Sequence, residues 1–316
     1  MRALVIGSEG NIGVPLVRWL RAQGHTVFEA DIRPGWRPDY FVADITNPVD
    51  LLPAFDCAPE VVFMLAAQVG RMPCEQAYSS AMAVNVAGLN NVVQLCQRSN
   101  SRLVFFSSSE VYGPETSLMG EDEPDLCPSN RYGLTKLIGE QLIRHEVRSG
   151  SLDAMILRLF CVYHEGETAG EHRSAMIRFV DRLSRNLPVD VHLDSERGWL
   201  HVSDAVKAIE AAALLPASTT INIGHPDIVR TDNLVEMIRA RLGAPRELIR
   251  PVVLPDKMTL KKRPDLSRMR DLLGVIPQVG AAQGVDWLCA RYQQPTPPPA
   301  EAPQDGAEKA AKCIYG

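Results

Sequence analysis

The 316-residue chain has no apolar run that approaches the length of a transmembrane helix, so a membrane-spanning role is not expected. It also lacks an excess of positive charge. At a net charge of −5 there is no global basic field to argue for nucleic acid. The seven cysteines (57, 74, 96, 127, 161, 289 and 313) include no Cys-x-x-Cys pair. A dispersed, odd-numbered set suits free thiols in a reducing cytoplasm, not a disulfide or zinc framework, and no metal is expected. The run Met1-Arg2-Ala3-Leu4-Val5-Ile6-Gly7 enters a strand at once and does not have the form of a signal peptide. No internal repeat is visible. What remains is ordinary for a globular enzyme: 46% hydrophobic and 22% charged residues, in a length that fits one large domain or two intimate ones.

The first 110 residues alternate strand and helix. Strands are expected at Arg2–Gly7, Thr26–Asp31, Tyr40–Asp44, Val61–Ala66 and Arg102–Ser107, with helices at Ile12–Gln23 and Ala77–Arg98. Helix Tyr132–Val147 and strand Asp153–Phe160 follow. Such alternation implies a parallel sheet with helices on both faces, an α/β fold. After Cys161 the pattern loosens. Helices at Ala175–Asn186, Ser203–Leu215 and Thr231–Leu242 and a strand at Thr219–Ile223 suggest a smaller domain on the sheet's C-terminal edge. Ser203 or Asp204 is the expected N-cap of the second of these helices. The division expected is 1–160, with later segments returning to it, then 161–292, then a disordered tail at 293–316 rich in Pro, Ala and charge.

Tyr132-Gly133-Leu134-Thr135-Lys136 places a phenol and an ammonium on one helix face. The ammonium is expected to lower the Tyr132 pKa toward neutrality, which suits proton transfer at a hydroxyl that becomes a ketone. Gly7-Ser8-Glu9-Gly10-Asn11-Ile12-Gly13 links the first strand to the first helix. Gly7 permits the turn, Gly10 lets backbone approach a pyrophosphate, and Gly13 lets the helix pack close. The helix N-terminus then offers N–H groups to phosphates. Asp31, at the end of strand two, stands where an acid binds the adenosine ribose and repels a 2′-phosphate, so NAD is favoured over NADP. Arg33 and Arg37 weaken that preference.

Together these residues resemble the extended short-chain dehydrogenase/reductase family, in its nucleotide-sugar epimerase/dehydratase branch, along nearly the whole chain to about Trp287. The resemblance implies a Rossmann-type doubly wound sheet with a smaller C-terminal substrate-binding domain. Asp44-Ile45 matches the pair that meets adenine, Leu65-Ala66-Ala67 the segment behind the cofactor, and Asn85 the helix Asn of the active-site network. Ser108 matches the catalytic Ser/Thr, within Ser107-Ser108-Ser109-Glu110-Val111-Tyr112-Gly113, and Tyr132 with Lys136 the catalytic pair. Arg197, in Arg197-Gly198-Trp199-Leu200-His201-Val202-Ser203-Asp204, and Arg263, in Arg263-Pro264-Asp265, fall where the family grips the substrate diphosphate. Gln68-Val69-Gly70-Arg71 resembles a segment of the sugar 4-epimerases, where Arg71 would contact a sugar carboxylate or phosphate; a solvent-exposed loop arginine is the equal alternative.

The chemistry so implied begins with Tyr132 taking the C4 hydroxyl proton while hydride passes to the nicotinamide, Ser108 bridging the C4 oxygen and Lys136 holding the ribose. The 4-keto sugar then re-adds hydride on its other face, loses water, or loses CO2. Glu110 occupies a position where dehydratases and UDP-glucuronate decarboxylases carry an active-site Glu, a candidate base for elimination, but epimerase-like sequences carry it too. Ser109 stands where dTDP-glucose dehydratases have Asp, which lowers that reading. Cys161-Val162-Tyr163-His164 replaces the common Asn-x-Tyr-Gly, so Cys161 stands at the substrate position usually held by Asn. A 4-epimerase acting on a nucleotide-diphosphate sugar is the leading expectation, with a dehydratase or UDP-uronate decarboxylase as the alternative. A non-catalytic NAD-binding regulator is the reading from another class, and the retained Ser108, Tyr132 and Lys136 argue against it. The resemblance also implies a homodimer through helices Ala77–Arg98 and Tyr132–Val147.

Overall fold

Five strands before residue 110 and one after it, each short and rich in β-branched or aromatic residues, assemble the central sheet: β1 (Arg2–Ile6), β2 (Thr26–Asp31), β3 (Tyr40–Val42), β4 (Val61–Met64), β5 (Arg102–Ser108) and β6 (Ala154–Leu159). A seventh strand, Thr220–Ile223, joins beyond β6. The computed structural model describes residues 1–114, 118–167, 170, 174–253 and 259–293. The expected C-terminal tail lies outside the described residues from 294 onward.

All seven strands run parallel in the order β3-β2-β1-β4-β5-β6-Thr220–Ile223. The order reverses between β1 and β4, and this switch point opens a crevice beyond the strands' carboxyl ends. Alternation along each strand feeds two cores. Ala3, Val5, Phe63, Val104 and Leu157 face helices Gly13–Ala22 and Val202–Leu214. Leu4, Ile6, Val62, Phe105 and Ile156 face helices Leu89–Ser99 and Arg131–Arg148. Burying each such side chain contributes about 1.5–3 kcal/mol, which fixes the sheet as a rigid base for its upper edge.

The expected helix over Ala77–Arg98 is interrupted. Helix Tyr78–Met82 passes through a π-helical turn, Ala83–Gly88, before helix Leu89–Ser99. The turn draws Asn85 inward, and Gly88 admits Ile45, whose Cδ1 would stand 2.8 Å from a Cβ there. Arg71 begins a helix, Arg71–Gln76, and is not a loop residue. The expected N-cap Ser203 or Asp204 is also corrected. His201 caps helix Val202–Leu214, its ring accepting the Ser203 N–H, while Asp204 accepts the amides of Gln278 and Val279 at 2.7 and 2.9 Å.

A separate apolar cluster gathers Met176, Phe179, Val191, Trp199, Leu234, Ile238 and Leu288 from the later part of the chain. It is served by short strands, among them Glu196–Gly198, flanked by Ile228–Arg230 and Lys261–Lys262. These strands carry the second wall of the crevice. Among the described residues, no helix is long and apolar enough to cross a membrane.

Candidate active site

The glycine loop fits a dinucleotide. Gly7 has φ +90°, a conformation open to glycine, and a Cβ on it would lie 2.6 Å from Ala66 N. A Cβ on Gly13 would lie 2.2 Å from Gly7 O, so the helix can start only against bare backbone. Leu65 and Ala66 both donate their N–H groups to Ile6 O at 2.9 Å, which brings the Leu65-Ala66-Ala67 segment up behind the loop. Asp31, nearly buried, accepts the Glu9 N–H at 2.9 Å and the Arg33 N–H at 3.0 Å. Asp44 takes the Thr46 N–H and hydroxyl, and Ile45 is buried. Asn11 and Ile12 complete the turn into the helix. A Cβ-free cradle leading to a carboxylate at the end of β2 is the donor and acceptor set that NAD requires.

Tyr132 and Lys136 stand on helix Arg131–Arg148 beside the end of β5. Asn130 caps this helix, its Oδ1 accepting the Gly133 N–H at 2.9 Å. Gly133 is needed because a Cβ would meet Glu110 O at 2.6 Å. The helix therefore starts pressed against the turn that carries Ser109–Val111. Ser108 hydrogen-bonds the Tyr132 phenol, and its Oγ also accepts the Glu110 N–H at 3.2 Å. Lys136 is buried and donates to Phe106 O at 2.8 Å, with its Nζ 6.0 Å from the Tyr132 ring centroid. Asn85 accepts the Gln68 N–H at 2.8 Å and donates to Gln68 O and to Thr135 Oγ1, both at 3.0 Å. It thus ties the strand-four segment to helix Arg131–Arg148.

The expected downward shift of Tyr132 is not found. Burial and then the Glu110 charge push its pKa above the ordinary value, and the Ser108 hydrogen bond only partly opposes them. Lys136 is not among the groups that bear on the phenol, and its ammonium is committed to the Phe106 carbonyl. Its own pKa is lowered to about 8, chiefly by burial, with Cys74 and Glu140 pulling the other way.

Glu110 departs further from its expected role. Its carboxylate lies 2.5 Å from Lys262 Nζ and accepts Asn130 Nδ2 at 2.7 Å. Burial would raise its pKa, but the Lys262 charge and hydrogen bond, Asn130 and the Arg197 charge outweigh that and hold it at about 2. A carboxylate this acidic and this well partnered is a poor proton acceptor. Lys262 also donates to Ser109 Oγ at 3.0 Å, which places Ser109 in the same cluster.

Lys262, not Arg263, faces the crevice. In a strand, successive side chains point to opposite sides. Lys262 pairs in register with Arg197, and Arg263 turns away to an ion pair with Glu196, with half its side chain exposed. The Arg197 charge bears on both Glu110 and Arg71. Arg71 is drawn down by burial and by the charges of Arg197 and Arg178, with Glu110 opposing. His192 is lowered by burial and by the same three arginines. The crevice wall is therefore cationic, with Glu110 as the carboxylate that Arg71 feels most strongly. Cys161 sits at φ +41° and packs against the apolar cluster of the later chain.

Sequence reasoning missed Lys262, Asn130 and Arg178. Asn130 had a local signal, as a capping residue three before Gly133 at the start of an expected helix. Lys262 comes from a two-residue strand 152 positions beyond Glu110 and has no local signal.

A glycine cradle beside a helix that carries Tyr132 and Lys136 near Ser108 is an arrangement suited to a dinucleotide-dependent enzyme. Residues 3–224 match the family model described as the NAD dependent epimerase/dehydratase family, and the chain belongs to that family. It is 27% identical to a UDP-glucose 4-epimerase of Mycolicibacterium smegmatis, over 90% of this chain and 96% of that one. It is 24% identical to UDP-glucuronic acid decarboxylase 2 of Arabidopsis thaliana, over 93% of this chain and 68% of that one. Among solved structures, it resembles MoeE5 in complex with UDP-glucuronic acid and NAD, with a TM-score of 0.84 and 27% identity over 92% of this chain and 98% of that one. NAD is the cofactor of the family.

Proposed function

We propose that the protein is an NAD-dependent nucleotide-sugar 4-epimerase. The observation that carries this reading is the commitment of Glu110 to Lys262 and Asn130. Elimination of water from a 4-keto sugar needs a base for the C5 proton, and the carboxylate in position for it is held near pKa 2. Epimerisation needs only a proton relay at the C4 oxygen, which Ser108 and Tyr132 provide. Bound NAD supplies hydride acceptance and return at C4, and its positive nicotinamide ring favours the Tyr132 phenolate. Lys136 holds a ribose hydroxyl, and Arg197 with Arg71 grips the diphosphate.

The cationic wall also favours a second reading, decarboxylation of a uronate. A 4-ketone with a C6 carboxylate loses CO2 without a base at C5: the C5–C6 electron pair passes to the C4 oxygen as an enolate, which then takes a proton at C5, and Arg71 or Lys262 would hold the carboxylate beforehand. MoeE5 and the Arabidopsis relative, by their names, deal with UDP-glucuronic acid.

We assign residues 1–160 with strand Thr220–Ile223 to cofactor binding and most of 161–292 to the sugar nucleotide. The separate apolar cluster supports this division. A homodimer is proposed through the outward faces of helices Leu89–Ser99 and Arg131–Arg148, where Leu134 is exposed. Their apolar stripes face the sheet and are already used. The cysteines at 57, 74, 96, 127, 161 and 289 are free, which supports a reducing cytoplasm.

The test is incubation with NAD and a panel of nucleotide sugars, followed by mass spectrometry. Unchanged mass with a new retention time is expected. Loss of CO2 from a uronate establishes the second reading, and loss of water contradicts both.

A further inference from the structure

Two arginines stand beside the adenosine end of the crevice, where such residues ordinarily welcome the 2′-phosphate of NADP. The structure gives both other partners. Arg37 Nη2 lies 2.5 Å from Glu9 Oε1 and 2.8 Å from Glu29 Oε2, and its guanidinium covers the Tyr40 ring at 4.6 Å. Glu29 is 3% exposed and meets Arg21 at 2.9 Å as well. The Tyr40 hydroxyl donates to Arg33 O at 2.6 Å, and its ring fills the space a Cβ on Gly35 would need. Arg33 Nη1 donates to Glu9 O at 2.9 Å. Glu9 is common to these contacts: its amide orients Asp31, its carbonyl takes Arg33, and its carboxylate takes Arg37.

We infer that Glu9 and Glu29 lock Arg37 into a closed ion cluster, and that this lock, added to Asp31, makes the adenosine site reject a 2′-phosphate. A 2′-phosphate would have to pull Arg37 away from a buried carboxylate, leaving it Arg21 alone, and removing one partner of a buried charge is costly. It would also sit beside Glu9 and Asp31, whose charges repel it. A ribose hydroxyl asks only for an acceptor, and Asp31 keeps lone pairs beyond its two amide bonds. Arg37, one of the two arginines expected to weaken the preference for NAD, is thereby removed from the choice. Glu9 is a specificity residue inside the glycine loop.

The test is nucleotide binding, independent of turnover. The purified protein is stripped of nucleotide and titrated calorimetrically with NAD, NADP, ADP and adenosine 2′,5′-bisphosphate. The wild type is expected to prefer NAD over NADP by about 100-fold, a specificity set by a difference of affinities. Glu9→Gln is expected to narrow this about tenfold through tighter binding of NADP and of the bisphosphate, because one partner of Arg37 loses its charge. Adding Arg37→Ala to Glu9→Gln should cancel the gain. Glu9→Ser serves if the Gln variant does not fold. No narrowing in a folded Glu9 variant, or a gain that survives loss of Arg37, overturns the inference.

Discussion

Glu140 and Glu110 are both carboxylates held by a cation next to the same helix, yet they are built for different ends. Glu140 and Arg158 are each fully buried and meet through two bonds, at 2.9 and 2.7 Å, with Ser107 Oγ at 2.5 Å as a further donor. Arg158 also covers Tyr112, whose hydroxyl donates to Asn222 at 2.8 Å. Every member of this group is satisfied within the protein, and it joins β5, β6, the catalytic helix and strand Thr220–Ile223. The Glu110–Lys262 pair lies at the crevice instead, bordered by Arg197 and Arg71, with Asn130 and Ser109 as further partners. The first pair is closed and holds the sheet edge in place. The second is open on one side to a cationic wall and a phenol. A buried charge is thus read less by its partner than by what is left over around it.

Tyr132→Phe should have the largest effect. It touches neither ion pair, so a loss of roughly a thousandfold in kcat is expected with stability and NAD affinity kept, since proton transfer by a placed side chain contributes about 10²–10⁴-fold. Retained turnover, read in a nucleotide-sugar assay, would remove the proton relay from the site. Glu140→Ala leaves Arg158 buried and unpaired, and should lower stability by about 3–5 kcal/mol in urea unfolding. A loss as small as that of an exposed pair would erase the contrast drawn above.

Glu110→Gln should cost less stability, about 1–3 kcal/mol, and shift the acid side of the stability curve. The Glu110 pKa falls from its usual value to about 2 on folding. Its stabilisation is therefore fully present above the unfolded carboxylate range, and drains away as pH falls toward 2. Denaturant midpoints of wild type and Glu110→Gln should converge across that interval, and parallel curves would contradict the held carboxylate. The smallest effect is expected at the surface. Arg263→Ala should change stability by less than about 1 kcal/mol. It should leave KM nearly unaltered, whereas Lys262→Ala should raise KM or depress kcat clearly. The reverse ranking in steady-state kinetics would restore Arg263 to the substrate.

Much of the cofactor half was legible in the sequence because its signals are local. Gly7, Gly10 and Gly13 lie within one turn, Asp31 ends the next strand, and Tyr132 and Lys136 are one helical turn apart. The parallel sheet follows from the alternation of strands and helices, but the order of its strands does not. The substrate wall was harder to read. Lys262 and Arg263 are neighbours, and only the register with Arg197 decides which of them faces inward. The Tyr132 pKa differs from the expectation because spacing gives proximity on a helix but neither the burial of the phenol nor the carbonyl that occupies Lys136. One signal was present and unused: Arg158 inside the apolar strand Ala154–Leu159 demands a buried partner.

The held state of Glu110 is tested most directly by turnover in deuterium oxide with NAD and the nucleotide sugar that the protein accepts. If Tyr132 and Ser108 act alone at the C4 oxygen, the epimer forms with no deuterium on carbon, because hydride leaves C4 and returns to it. Deuterium at C5 of a product that has lost no CO2, or a product lighter by water, would show a base at work on the C5 proton and contradict a Glu110 committed to Lys262.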